Sequence, residues 1–139
     1  MGRKMGSMNK DSVELKIEIQ KIKAKYNKIT PDLVLKEAKN QKHPLHSYFD
    51  WDDDEAAIKW RRHQARMLLD SITQVVIIQG KETKQRSFFN VKERGTQESV
   101  YVTVEEAIKI KSYREQLLEQ IINHLEKTTN LMRMFESTK

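Results

Sequence analysis

Apolar positions along the chain fall first into a helical rhythm. Leu15, Ile19, Ile22 and Tyr26 are spaced by four, three and four, as one helix face requires. The pattern predicts a helix over 13–26, with Asp11 or Ser12 as its cap. Asn27-Lys28-Ile29-Thr30-Pro31 interrupts it. Thr30 is a good N-cap, and Pro31 suits the first helical position, where its missing N–H costs nothing. A short helix is expected over 31–39, burying Leu33, Val34 and Ala38 and ending at a left-handed Asn40. Pro44 opens a very short helix over 44–49, with Leu45, Tyr48 and Phe49 on one face. The acidic run 50–55 opens a longer helix over 53–72, where carboxylates meet the positive end of the helix dipole. Ala57, Trp60, Ala65, Leu68 and Ile72 form its buried stripe.

The rhythm then changes. Val75-Val76-Ile77-Ile78 is a β-branched run that leads into Gly80-Lys81-Glu82-Thr83, a hairpin signal. Residues 86–92 and 99–103 read as two further strands, joined through Arg94-Gly95-Thr96. Phe88 and Phe89 are adjacent, so a strand sends one to the core and one outward. A helical segment starts at Thr103 or Val104. A long helix runs over 111–135, with Leu118, Ile121, Ile122, Leu125 and Met132 on its apolar side. The expected fold class is α+β: an N-terminal helical, helix-turn-helix-like bundle, a three-stranded antiparallel meander and a long C-terminal helix. The expected organisation is a disordered tail (1–10), a helical part (11–72), and the strands with the last helix (73–139).

The 139 residues are 37% apolar and 33% charged, enough for one modest core. No apolar run approaches the length of a membrane span, and none follows the basic N-terminus as in a secretory leader. A cytoplasmic protein without a membrane partner is expected. The lack of cysteine excludes disulfide scaffolds, Cys-ligated metal centres and a cysteine nucleophile. The net charge is +6. Residues 1–49 hold eleven Lys and Arg against five Asp and Glu, so their surplus equals that of the whole chain. A basic segment this concentrated points to an anionic partner, most often nucleic acid.

Signals for catalysis are weak. Ser47, Ser71 and Ser87 stand in no nucleophile motif, and there is no Gly-rich phosphate loop. The contiguous acids at 50–55 suit a helix cap better than a metal site, whose carboxylates converge from separate elements. His43 and His46 are three apart, but Pro44 intervenes and no Cys completes a ligand set. Trp51 and Trp60 are expected in the core. No catalytic residue, metal or cofactor is expected.

Helix, short helix, very short helix and long helix, joined by brief loops, make the helix-turn-helix plan. Within residues 25–55, Tyr26, Thr30, Ala38, Leu45, Phe49 and the acidic start at 52–55 resemble the DNA-binding segment of TetR-type repressors. In that family an aromatic ends the first helix, Thr caps the second and Ala precedes a Gly-containing turn. Asn40 stands here in place of the turn Gly, and Pro44 where the family has a residue able to bond DNA. The C-terminal part is too short and too rich in strands for the family's ligand domain. A second stretch is similar to small phage and prophage proteins that carry no assigned activity. It comprises Pro44-Leu45-His46-x-Tyr48-Phe49-x-Trp51-Asp52-Asp53-x-Glu55-Ala56-Ala57 and Arg61-x-x-Gln64-Ala65-Arg66-x-Leu68-Leu69.

These resemblances imply a non-enzymatic, phage-type protein that binds double-stranded DNA. The 44–49 helix would enter the major groove, with Lys42, His43, His46 and Ser47 toward the DNA. Lys25, Lys28, Lys39, Arg61 and Arg62 would contact phosphates, so binding would weaken steeply with salt. No Arg or Asn is set for bidentate base reading, which implies low sequence specificity. The C-terminal part would brace the bundle or form a homodimer. The alternative is an interaction module, a phage protein that modulates a host protein or serves in assembly.

Overall fold

The computed structural model describes residues 8–51 and 54–137. Helix α1 (Met8–Tyr26) starts earlier than its apolar pattern requires, so neither Asp11 nor Ser12 is its cap. Residues 1–7 of the expected tail lie outside the described residues. Ser12 is buried, and its Oγ accepts from Thr73 N–H at 3.4 Å. Leu15, Ile19 and Ile22 form the buried face, as their spacing requires. Asn27 ends the helix in the left-handed conformation (φ 65°), its N–H bonded to Lys23 O at 2.8 Å.

Helix α2 (Pro31–Ala38) follows its cap chemistry. Thr30 Oγ1 accepts from Leu33 N at 3.1 Å, and Pro31 opens the first turn. Val34 and Ala38 are fully buried. The end of the helix departs from expectation. Lys39 keeps right-handed angles, and Asn40 turns the chain with its side chain instead, Oδ1 accepting from Lys42 N at 3.0 Å.

The expected 44–49 helix is not an α-helix. Residues 40–49 wind through successive i→i+3 turns, of which His46–Tyr48 forms one 3₁₀ turn. Pro44 has no N–H to give, and Leu45 N–H is taken by His43 Nδ1 at 3.1 Å. Leu45 and Phe49 are nonetheless buried. Their apolar spacing is met by a tight turn.

In helix α3 (Glu55–Ser71), Asp54 is the cap, its Oδ1 accepting from Ala57 N at 2.7 Å. Ala65, Leu68 and Leu69, with Ile72 just beyond, face the core. Trp60 does not; it is 46% exposed, its Nε1 donating to Asp50 Oδ2 at 3.3 Å. Five residues before Ala65, it sits roughly 140° round the helix from that face.

The strands correct the meander. Strands β1 (Thr73–Ile78) and β2 (Lys81–Arg86) form one antiparallel hairpin, and β3 (Phe89–Lys92) and β4 (Ser99–Val102) another. The two sheets are separate. The first turn explains why. Gln79 and Gly80 both take positive φ (52° and 75°) and close a two-residue turn, so Lys81 already pairs with Ile78. The polar run 81–86 lacks apolar alternation and becomes a strand through this pairing. At Ser87 the chain leaves the hairpin. Ser87 N–H bonds Ile72 O at 2.9 Å, and Phe88 is buried beneath the helices. Phe89, its neighbour, is half-buried.

Two helices complete the chain. Thr103 Oγ1 caps α4 (Val104–Lys109), accepting from Glu106 N at 3.2 Å, and α5 spans Lys111–Ser137. The larger apolar cluster joins α1, α2, the 40–49 turns and α3 to Phe88 and Tyr101. A smaller one gathers Val91, Val100, Val102 and Ala107, with Tyr113 and Leu117 against it. Tyr101 N–H donates to Ile29 O at 2.8 Å and stitches the second sheet to the helices. Gln116 brackets Lys92, accepting from its N–H at 2.7 Å and donating to its carbonyl at 3.0 Å. Gln120 donates to Asn90 O at 2.8 Å. These amides cover the outer edge of β3 and fix the first turns of α5. Among the described residues, no helix is long and apolar enough to cross a membrane.

Two outcomes follow from this packing. Ile22→Ala should cost about 3 kcal/mol in urea denaturation, while Ile77→Thr, at a site 74% exposed, should stay within about 0.5 kcal/mol. Burial, then Asp70, raises the Tyr101 phenol above its ordinary value. Above about pH 10 the unfolded chain releases this proton and the folded chain retains it, so stability falls as pH rises. Urea midpoints between pH 8 and 11 should decline less steeply in Tyr101→Phe.

Candidate nucleic-acid interface

Helices α2 and α3 lie against each other and leave a groove of about 560 Å³ between their exposed sides. Lys36 and Lys39, three residues apart, come from the end of α2, where one helix face carries both. Arg61 and Arg62 come from α3, and His46 from the 3₁₀ turn. Leu35, Trp51 and Ile58 give the groove apolar walls. Among the described residues its one carboxylate is Asp32, whose Oδ1 meets Arg62 Nε at 3.0 Å. Lys36, Lys39 and Arg61 line the groove beside this pair, with His46 at its edge.

The groove is held by an aromatic stack. The His46 and Trp51 rings are parallel within 4°, with centroids 4.9 Å apart. The Arg61 guanidinium lies 5.3 Å from the Trp51 centroid and donates to Asp50 O at 3.0 Å. Trp51 Nε1 donates to His46 O at 2.8 Å. His46 Nδ1 lies 2.8 Å from Ala38 O. A carbonyl only accepts, so Nδ1 carries the proton, and His46 satisfies one of the orphan carbonyls at the end of α2. The arginine is thus held in one orientation against the Trp51 ring. With the stack in place, the Trp51 ring is occupied by its own neighbours.

Four of the nine expected DNA contacts meet here: Lys39, His46, Arg61 and Arg62. The other five lie elsewhere. Lys25 Nζ meets Glu37 at 2.8 Å, and this hydrogen bond raises its pKa. Lys28 Nζ meets Glu98 at 2.6 Å, with Glu93 at 3.9 Å, and is likewise raised, first by Glu98. His43 accepts from Leu45 at Nδ1, so in the neutral ring its proton is on Nε2, 3.9 Å from Glu18. Lys42 and Ser47 are exposed on the turns. Lys36 and Trp51 complete the groove and were not among the expected contacts. The spacing of Lys36 to Lys39 is the signal that marks Lys36. Trp51 carries no such signal, because its position depends on the 3₁₀ turn.

Of the acidic run, residues 52–53 lie outside the described residues, and Asp50 and Asp54 have structural partners. Asp54 caps α3, and Asp50 accepts from Trp60 and Gln64. Among the described residues, no three His, Asp or Glu side chains converge as a metal site would require.

Trp51→Phe keeps a ring but removes the bond to His46 O. It should cost about 1 kcal/mol in chemical denaturation and loosen Arg61, read as a weaker anion affinity of the folded protein.

Comparison of the chain with protein-family models, with curated proteins and with solved structures finds no match.

Proposed function

We propose that this is a non-enzymatic DNA-binding protein that holds the phosphate backbone of duplex DNA in the groove between α2 and α3. The observation that carries this reading is the convergence of Lys36, Lys39, Arg61 and Arg62 on one groove, with Arg61 pre-set on Trp51. Phosphate contacts from Lys and Arg position a duplex without reading its sequence. A single 3₁₀ turn is too short to lie along a major groove as a recognition helix. The reading is therefore one of backbone grip with low sequence specificity. Because Trp51 is stacked on His46 and carries the Arg61 guanidinium, the reading takes the ring as a support for Arg61 on duplex phosphates.

The likeness to small phage proteins supports a phage or prophage source and a cytoplasmic site of action. Helix α5 is the proposed dimer element, so that two grooves act on one duplex and raise the apparent affinity. The second reading, an interaction module for a host protein or for assembly, is favoured by the exposed apolar length of α5.

Fluorescence anisotropy of a labelled duplex tests the proposal. Binding should saturate near 0.1 M salt, with a log–log salt slope of roughly −3 to −4 per groove, as four phosphate contacts require. Lys36→Glu with Lys39→Glu should abolish it, and Lys84→Ala, on the distant β2, should not change it. No binding at 50 mM salt would leave the interaction module as the function.

A further inference from the structure

Helix α5 is built in two halves. Its first turns rest on β3 through Gln116 and Gln120 and on the small core through Tyr113 and Leu117. From Leu118 to Ser137 every residue is exposed, roughly 30 Å of helix. A helix of this length is marginal in water without packing. Along it, Leu118, Ile121, Leu125, Thr128, Met132 and Phe135 are spaced three, four, three, four, three, a heptad seam. Eight large apolar side chains between Leu118 and Phe135 are each more than half exposed, Phe135 the most at 69%. Covering them would bury on the order of 800 Å² per chain, the size of a standard stable interface.

We infer that α5 pairs antiparallel with α5 of a second copy, with Leu118 level with Phe135 of the second copy, Ile121 with Met132 and Leu125 with Thr128. Three observations select this occupant and orientation. First, the register pairs opposite charges: Glu119 and Arg133 of the second copy share one flank at nearly the same height, on a helix whose two halves are each neutral, with Lys111, Arg114, Glu115 and Glu119 in the first and Glu126, Lys127, Arg133 and Glu136 in the second. Second, an apolar groove of about 480 Å³ runs beside the first half of α5, walled by Phe89, Val104 and Ile108. The register delivers Phe135 and Met132 of the second copy to this groove. Third, each chain's body sits at one end of its own helix, so the antiparallel pair carries the two bodies at opposite ends. The inference rests on the proposed dimer role of α5 and is independent of the DNA reading.

The test is sedimentation equilibrium of the full chain, whose mass is 16.5 kDa. The wild type should run at twice that mass. Glu119→Arg alone and Arg133→Glu alone should each weaken the dimer about tenfold, because each turns two attractions into two repulsions. The double variant should recover to within about threefold of the wild type. As a second readout, the chain has no cysteine of its own. Leu118→Cys combined with Phe135→Cys should oxidise to a covalent dimer, and neither single variant should. A monomer at every concentration would overturn both the dimer role and the pairing. A dimer whose single and double charge variants weaken alike, or whose Leu118→Cys variant cross-links to itself, would overturn the antiparallel register alone.

Discussion

Everything else in this structure depends on one act of burial, the packing of α1, α2 and α3 around Ile19, Val34 and Leu69. Three amphipathic helices with short connections can hide their apolar faces only against each other. The strands do not make a core of comparable size. They are held because Phe88 and Tyr101 enter the helical core and because Tyr101 bonds Ile29. The groove follows from the same packing. Once Val34 and Ala38 of α2 face inward, Lys36 and Lys39 must lie outward. Once Ala65 and Leu69 of α3 do, Arg61 and Arg62 stand beside those lysines.

Charge is distributed by the fold in a way its position in the chain does not predict. The basic surplus belongs to residues 1–49, yet part of it is met by acids far along the chain. Lys23 meets Glu106 and Lys28 meets Glu98, while Lys25 meets Glu37 within the segment itself. Exposed pairs of this kind contribute little to stability. Their effect is to flatten the potential on that side of the bundle. Lys36 and Lys39 are left where α2 and α3 meet, beside Arg61 and Arg62 from the locally acidic segment that follows.

Helices were legible in the sequence wherever apolar periodicity was reinforced by a cap, as at Thr30-Pro31 and at the start of α3. The 44–49 segment shows the limit of periodicity. Leu45 and Phe49 have helical spacing, and they are buried, but a proline and a histidine that takes a backbone N–H turn the segment into 3₁₀ geometry. The meander was illegible for a different reason. β2 is wholly polar, and its register is fixed by the positive φ of Gly80 together with that of Gln79, a residue with no strong turn signature. At the groove, charge and helix phase pointed to Lys39, Arg61 and Arg62. Trp51 was hidden because its place depends on the turn, and Lys25 and Lys28 drew attention because their partners, Glu37 and Glu98, come from other elements of the fold.

The two ends of the chain solve the same problem differently. Each carries a long amphipathic helix, and a helix needs a surface for its apolar face. α1 finds that surface at once in α2 and β1. α5 finds it only for its first turns, where two glutamine side chains and a cluster of four buried residues hold it. Beyond Gln120 no described residue of the chain buries α5, since β3 and β4 are four residues each. Lengthening the helix past its own domain places apolar surface where only another molecule can cover it. In the proposed dimer, the helical order of that segment and its association are therefore one equilibrium rather than two.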